Sequence, residues 1–294
     1  MNIIKNRYIY IAISIIIIAI GFGFMLYNNS QGKGFFNYDI QFTGGTSIEI
    51  SSNGKEVKND DIDNILKDSI NIDNAQIQII GNGESVIIKT RLLSQDERTV
   101  LIEAISSKYS LTEDNFSIRD ISATISNEMK SKSYLAVLVS CIAMLIYVSF
   151  RFKNFKIGAS AIIALLHDAL VLVSFYAIFR IPLNDSFIAA ILTVLGYSIN
   201  ATIVIFDRIR ENKGKNRKIN ANLIDNGINQ SLRRSIFTSL TTFLTVISLY
   251  IFGVESVKIF ALPIAIGIVC GTYSSIFIAG SIWYMLDNIK TKNS

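Results

Sequence analysis

His167 and Asp168 are adjacent residues inside a long apolar stretch of this 294-residue chain. Asp168 follows the start of that stretch, Ile157, at a distance of about 16 Å if the stretch is a helix rising about 1.5 Å per residue. An imidazole and a carboxyl group in such a place can exchange protons, and charged groups inside a bilayer are costly and usually functional. Neighbouring helical side chains point about 100° apart, so we expect the two to meet different partners.

A second group of polar residues lies where the fourth apolar stretch ends and the fifth begins. Asn200 lies within the fourth stretch, Asp207 follows it, and Arg234 immediately precedes the fifth. An ion pair between Asp207 and Arg234 is one interpretation if the two helices are neighbours, and two independent charged flanks are the other. The ion-relay candidates are therefore Asp168, His167, Asn200, Arg234 and Asp207.

The elements that must position these residues are membrane helices. Half of the residues (50%) are hydrophobic and only 17% are charged, which excludes an ordinary soluble domain. Six stretches reach the roughly 18–20 residues needed to cross about 30 Å of hydrocarbon, and His167 and Asp168 are their only charged or imidazole residues. Spans one to six are Tyr8–Tyr27, Ser133–Phe150, Ile157–Phe179, Ser186–Phe206, Ser235–Val254 and Ile259–Leu286.

Basic residues predict the orientation. Fifteen of the 28 Lys and Arg residues lie on the side of the two chain ends, and only Arg180 and Lys258 lie in the short loops opposite. We therefore expect cytoplasmic termini in the cytoplasmic (inner) membrane and an extracytoplasmic segment at 28–132. That segment carries 16 of the 23 acidic residues, so its surface is anionic and excludes nucleic-acid binding.

The segment 28–132 has a β-α-β-β-α-β pattern, which is typical of ferredoxin-like domains. Strands are predicted at 46–51, 75–80, 85–90 and 116–121, helices at 60–70 and 95–109, and a hairpin turn at 81–84. The predicted fold class is thus an α-helical polytopic membrane protein with six transmembrane helices and one α+β domain between the first two. Its parts are 1–27, 28–132 and 133–294, with a cytoplasmic loop at 207–234. Without His or Cys in the outer domain, we expect no enzyme, no cofactor and no metal site.

Five segments carry a resemblance to a known family. QFTGGTSIEI after span one resembles the DFTGGT-type signature of the SecD/SecF family of protein-export membrane proteins, a branch of the resistance-nodulation-division superfamily. ALLHDALVLVSFYAIF, GYSINATIVIFDRIREN, NQSLRRSIFTSLTT and GTYSSIFIAG are similar to its SecF branch, in the expected order. The motif residues are Phe42, Thr43, Gly44, Gly45, Thr46, Gly196, Tyr197, Ser198, Arg208, Arg210, Glu211, Asn212, Gly271, Thr272 and Tyr273.

The resemblance implies a role in protein export. Family members of the SecF type pair with SecD, and the SecDF complex works with the SecYEG channel on a translocating preprotein, driven by the proton gradient. The implied partners are SecD, SecYEG, YajC, the preprotein and membrane lipid. The chain also lacks the Gly-x4-Gly-Lys-Ser/Thr pattern of a phosphate loop.

The chain departs from the family at the residue on which coupling is expected to depend. Family members usually read GYSxND in span four, whereas this chain has Ala201 in place of the aspartate. Three interpretations follow: SecD supplies the titrating carboxylate, with Arg234, Asn200 and Asp168 as supporting groups; His167 and Asp168 replace it; or the chain is a non-conducting structural subunit that stabilises SecD and SecYEG. A transporter of the same superfamily with its own substrate is a fourth.

Three further features are noted. Gly44-Gly45 is either a plain turn or, as the resemblance implies, a hinge or docking point of the outer domain against the spans. Gly267 and Gly271 have the spacing of a close helix contact. The basic run 213–218 contacts anionic lipid or SecYEG, or simply retains the loop in the cytoplasm.

Overall fold

The computed structural model describes residues 1–52, 57–73, 75–80, 85–214 and 219–288, without the side chains of 80, 255 and 256. In this part of the chain six helices are long and apolar enough to cross a membrane, and they correspond to the six predicted spans. They are Arg7–Ser30, Ala123–Phe152, Phe155–Phe179, Asp185–Lys213, Ala221–Phe252 and Val257–Asn288. The predicted turn at 81–84 and the last four residues of the basic run, 215–218, lie outside the described residues.

Asparagine side chains set where three of these helices begin. Asn154, Asn184 and Asn220 each accept a backbone N–H from the first turn, which satisfies a donor that has no partner within the helix. The Asn220 cap starts the helix of span five at Ala221, well before the apolar stretch that predicted it. Hydropathy marks only the part of a helix that lies in hydrocarbon, so the polar extension was missed.

Contacts divide the chain into two units. One holds 1–37 and everything after residue 132, and the other is Tyr38–Lys132. The segment 28–37, predicted to belong to the outer domain, groups with the spans because it is bonded to the end of span three. Asn28 Nδ2 donates to the Ala177 carbonyl at 3.1 Å, and the Arg180 guanidinium donates to the carbonyls of Lys33 and Gly34 at 2.8 and 3.0 Å.

The unit 38–132 contains a four-stranded antiparallel sheet. Its strands are β1 (Gly45–Ser51), β2 (Gln76–Ile80), β3 (Ser85–Thr90) and β4 (Phe116–Ile121), in the order β2-β3-β1-β4. The unit also contains two helices, Asn59–Ile70 and Gln95–Tyr109, and a short one at Ile40–Thr43. Ile48 and Ile50 of β1 and Val86 and Ile88 of β3 are at most 1% exposed, so alternate residues of the central strands form one side of the core.

The helix Gln95–Tyr109 begins with a complete capping box. Ser94 Oγ accepts the backbone N–H of Glu97 at 3.3 Å, and the Glu97 carboxylate accepts the N–H of Ser94 at 2.8 Å. The Arg91 guanidinium, bonded to the same carboxylate, and the Ser94 N–H hold the pKa of Glu97 at about 2. The predicted cap residue Ser94 thus defines the start of this helix.

Glycines allow the spans to approach closely. A Cβ on Gly267 would overlap the side chain of Val194, and one on Gly271 would lie 2.9 Å from the Cβ of Ser198, so spans six and four touch backbone to side chain. In span one, a Cβ on Gly21 would overlap the side chain of Ser174 and lie 2.7 Å from its Cα. The hydrophobic driving force between helices is weak in lipid. Small residues at such positions favour helix association instead, because they allow close van der Waals packing.

Replacing Gly21 by alanine is expected to cost about 1–3 kcal/mol of unfolding free energy, because span three must move away from span one. At Gly23 nothing lies within 4 Å of an added Cβ, so the same change there leaves stability unchanged or slightly raised. The measurement is thermal unfolding of the two variants in detergent. Equal melting temperatures would contradict the close packing at Gly21.

Candidate functional site

Asp168 is the centre of a buried hydrogen-bond network that joins three spans. Its side chain is 0% exposed. Oδ2 accepts hydrogen bonds from Ser198 Oγ of span four at 2.5 Å and from Ser274 Oγ of span six at 2.8 Å. Oδ1 lies 3.0 Å from Nδ1 of its neighbour His167. Each oxygen of the carboxyl group therefore has at least one hydrogen-bond partner, as a polar group in an apolar bundle requires.

His167 extends the network to span one. Its Nε2 lies 2.8 Å from Ser14 Oγ, whose hydroxyl is also 3.2 Å from the Tyr10 carbonyl. The Tyr273 ring is stacked on the imidazole, 6.0 Å between centroids, and donates its hydroxyl to the same Tyr10 carbonyl at 2.9 Å. The neighbouring motif residue Thr272 bonds only within its own helix, at 2.7 Å. His167 thus contacts span one while Asp168 contacts spans four and six.

The serines of span six come from a π-helical segment, Ser274–Ala279, in an otherwise α-helical span. One extra residue per turn lets two consecutive serines point into the bundle. Ser275 Oγ lies 2.8 Å from Thr202 Oγ1 and donates to the Ser198 carbonyl at 3.3 Å. The segment therefore supplies hydroxyls to Asp168 and to span four together.

The arrangement can store a proton or exchange one between His167 and Asp168. The Ser14 hydroxyl has one hydrogen to donate: given to the imidazole, it requires a neutral ring that donates from Nδ1 to Asp168. Given to the Tyr10 carbonyl, it leaves the hydroxyl oxygen to accept from an Nε2–H of the imidazole. The orientation of one hydroxyl of span one is thus tied to which ring nitrogen of His167 carries the hydrogen. The described residues contain no group of three or more His, Cys, Asp or Glu that could hold a metal.

A separate polar cleft of about 70 Å³ lies between spans four and five. It contains three of the predicted polar residues, because Arg234 from span five lies beside Asn200 and Tyr197 from span four. Ala201 also forms part of its wall. The Tyr197 hydroxyl is 3.3 Å from Ser239 Oγ, so polar residues of the two spans do contact each other. In the described chain Arg234 has no hydrogen-bond or ion-pair partner.

The suggested pair of Asp207 with Arg234 is wrong. Asp207 Oδ2 lies 3.2 Å from Arg151 Nη2, at the end of span two. Arg234 lies level with Asn200 and Ala201, about 10 Å along the helix from Asp207 at 1.5 Å per residue. Charge and hydropathy along the chain indicated a similar depth, whereas the polar start of span five places its arginine further along span four.

Gly44 and Gly45 form a sharp turn into β1. Gly44 caps the short helix Ile40–Thr43 with φ 73° and ψ 169°, a region that only glycine readily enters. Gly45 has φ 124°, and a Cβ there would overlap the carbonyl oxygen of Thr90 in β3. Both glycines are therefore required by the backbone, which is the turn interpretation.

The other residues of this motif anchor the turn. Phe42 is buried. The Thr43 hydroxyl lies within hydrogen-bond distance of two carbonyl oxygens, that of Asp39 at 3.3 Å and that of Gly44 at 3.1 Å. Thr46 is fully buried; its hydroxyl donates to Asp120 Oδ1 at 2.6 Å and accepts the N–H of Leu93 at 3.0 Å. These bonds tie β1 to β4 and to the loop after β3.

The motif residues at the end of span four lie at the surface. Arg208 and Glu211 form an ion pair at 2.9 Å, and Asn212 donates a hydrogen bond to span five. Arg210 is exposed, and nothing lies within 4 Å of a Cβ built on Gly196. Among the described residues, none of these five bonds to the network at Asp168 or lines the cleft, so neither site explains this part of the motif.

Sequence reasoning missed five residues of these sites: Ser14, Ser274, Ser275, Ser235 and Arg151. The pair Ser274-Ser275 in an apolar span was the one available signal, because hydroxyls in hydrocarbon seek partners within the bundle. Ser14 carries no such signal, since a single serine can bond back to its own helix.

The comparisons with known proteins agree on one family. Residues 101–289 match the family described as Protein export membrane protein SecD/SecF, C-terminal. The chain is 37% identical over 259 residues to the protein translocase subunit SecF of Petrotoga mobilis, covering 84% of this chain and 85% of that one. It is 36% identical over 251 residues to the protein translocase subunit SecDF of Brucella abortus, covering 83% of this chain and 32% of that one.

Solved structures extend this likeness to the fold. The crystal structure of SecDF, a translocon-associated membrane protein from Thermus thermophilus, matches with a TM-score of 0.85 at 31% identity. The match covers 100% of this chain and 39% of that one, so this chain corresponds to part of a longer protein. With its six long apolar helices, this multi-pass membrane protein belongs to the SecD/SecF family of protein translocase subunits.

Proposed function

We propose that the chain acts as the SecF half of a SecDF complex and assists SecYEG-dependent preprotein translocation, using the proton motive force. The titrating carboxylate comes from SecD. The observation that carries this proposal is the cleft at Ala201, where Arg234 has no partner among the described residues of its own chain. A guanidinium in a membrane span needs a counter-charge, and the wall that would provide one has alanine.

The assembly of the relatives supports the partner. Brucella abortus has a single protein named SecDF, of which this chain matches about a third, and the Thermus thermophilus SecDF is described as translocon-associated. In those proteins the rest of the same chain, about two thirds of its length, lies outside the match. SecD, SecYEG, the preprotein and YajC are the partners we propose here, with membrane lipid around the spans.

The proposed topology places both termini in the cytoplasm and the unit 38–132 outside the cytoplasmic membrane. The distribution of Lys and Arg supports it. The strand order β2-β3-β1-β4 with two helices supports a ferredoxin-like fold for that unit. The outer unit is then the part of this chain that meets an emerging preprotein.

One observation favours the alternative of a non-conducting structural subunit. The network at Asp168 is closed: His167, Ser198 and Ser274 all bond to the carboxyl group, which is fully buried. A network of this kind holds four spans together without requiring ion passage. The two functions differ in what they require of Arg234.

Replacing Arg234 by glutamine is expected to lower gradient-dependent export about tenfold, because the SecD carboxylate loses the positive charge with which we propose it pairs, and tenfold corresponds to about 1.4 kcal/mol. The assay is preprotein translocation into vesicles containing SecYEG and the SecDF complex, with and without an uncoupler, after ATP-dependent initiation. The matched control is Arg233→Gln, since Arg233 lies over the Phe237 ring at 5.7 Å and lines no part of the cleft.

The uncoupler separates the two functions. If Arg234→Gln retains uncoupler-sensitive export, SecD does not use this arginine and the proposed coupling is wrong. A structural subunit predicts the same export from Arg234→Gln, Arg233→Gln and the unchanged chain whenever the complex assembles.

A further inference from the structure

We propose that the cleft at Ala201 is an anion-binding seat of this chain itself, which holds one small monovalent anion such as chloride between Arg234, Ser235 and Asn200. The ligand carries a single negative charge. Either a free halide or a carboxylate of the partner subunit can supply that charge. The seat does not depend on the proposed function, because it is tested on this chain alone.

Ser235 points to a ligand independently of the arginine. Its side chain is only 6% exposed, it lines the cleft, and its Oγ has no hydrogen-bond partner in the described chain. Two other serines of the same helix bond back to their own turn, Ser231 at 3.0 Å and Ser248 at 2.7 Å, and Ser239 accepts from the Tyr197 hydroxyl. A buried hydroxyl without a partner is costly, and an anion in the cleft would accept its hydrogen.

The charges around the cleft favour an anion. Arg234 supplies a positive charge, and Asn200 and Ser235 supply neutral donors. The remaining walls come from Tyr197, Ala201, Val204, Thr238 and Ser239, none of which carries a charge at neutral pH. The nearest described acid along span four, Asp207, is paired with Arg151. A guanidinium with several hydrogen-bond donors around it recognises negative charge.

The size of the cleft limits the ligand. About 70 Å³ admits a halide or a few water molecules, since a single water needs about 10–15 Å³ measured in this way. Gluconate is much bulkier than a halide and serves as the reference anion. An aspartate at position 201 would bring a tethered carboxylate into the same space, because the Ala201 side chain lines the cleft.

The test is thermal unfolding of the purified chain in zwitterionic detergent free of anionic lipid, at constant ionic strength. Exchanging gluconate for chloride or bromide is expected to raise the melting temperature by roughly 2–4 °C, since a ligand that binds only the folded state stabilises it. Arg234→Gln and Ala201→Asp should each abolish this rise, and Arg233→Gln should retain it. Crystals grown in bromide should give an anomalous peak between Arg234 and Ser235.

Ser235→Ala keeps the test decisive if Arg234→Gln does not fold. Its hydroxyl has no partner among the described residues, so stability in gluconate should be unchanged or slightly raised while the halide-dependent rise falls to half or less. A halide effect that is absent, or that survives in Arg234→Gln and Ser235→Ala, overturns the proposal. Adding SecD identifies the anion in the complex: loss of the halide effect assigns the seat to a SecD carboxylate, and persistence assigns it to free chloride, against the proposed function.

Discussion

Replacing Asp168 by leucine is expected to leave little folded protein in the membrane. The change removes the acceptor of Ser198 and Ser274 and the partner of His167, leaving three polar groups buried in an apolar bundle. Removing one member of a buried charged network costs about 3–5 kcal/mol, which is a large part of the stability of most domains. The yield of monodisperse protein in detergent and its melting temperature measure the loss.

The matched control is Asp287→Leu. Asp287 bonds to Lys156 at 2.9 Å with both side chains about 30% exposed, so its loss should cost less than about 1 kcal/mol. Comparable losses in the two variants would show that the network at Asp168 is not a special source of stability.

Asparagine at position 168 separates structure from ion transport. Asp168→Asn keeps the shape of the side chain and an oxygen that accepts from the serines, so most of the protein should fold. Under the proposed function its gradient-dependent export is retained, since SecD supplies the carboxylate. Loss of export in a stable, assembled variant would favour His167 and Asp168 as the carrier.

Replacing Gly45 by alanine is expected to unfold the unit 38–132. The residue has φ 124°, and the new Cβ would overlap the Thr90 carbonyl oxygen, which belongs to backbone and cannot rotate away. Disfavoured backbone regions cost about 1–3 kcal/mol, and the overlap adds to this by forcing β1 away from β3. Limited proteolysis of the full chain in nanodiscs should cut β1–β4 rapidly while the spans stay intact.

Gly44→Ala is the comparison, because Gly44 has a strained φ of 73° but more space. An added Cβ there lies 3.3 Å from the Ile121 carbonyl oxygen, so only the backbone cost of about 1–3 kcal/mol applies. The unit should remain folded in Gly44→Ala. Equal rates of proteolysis in the two variants would show that the overlap with Thr90 does not destabilise the unit.

The unit 38–132 shows how far local patterns predict structure. Strands at 85–90 and 116–121 and the helix at 95–109 have the predicted bounds, since alternation of apolar residues and a capping box are local signals. The number of spans was also predicted correctly. Hydropathy is a direct measure of the apolar length that a helix requires to cross hydrocarbon.

Local patterns did not predict which side chains pair with each other. Asp207 pairs with Arg151, 56 residues away, rather than with Arg234, and the π-helical turn that directs Ser274 to Asp168 has no sequence signal of its own. Such contacts depend on how each helix is rotated and how deep it lies, and a shift of one residue turns a helical side chain by about 100°.

The sequence by itself determined the membrane class of this protein, its six spans, the strand order along the chain and the two unusual residues of span three, because these follow from composition and local periodicity. Only the tertiary structure decided that Asp168 is held by Ser198 and Ser274, that His167 reaches Ser14, and that Arg234 faces a cleft beside Ala201 without a partner among the described residues. The physical reason is that hydrophobic burial has no direction, whereas hydrogen bonds and ion pairs require atoms from distant segments to meet within about 3–4 Å.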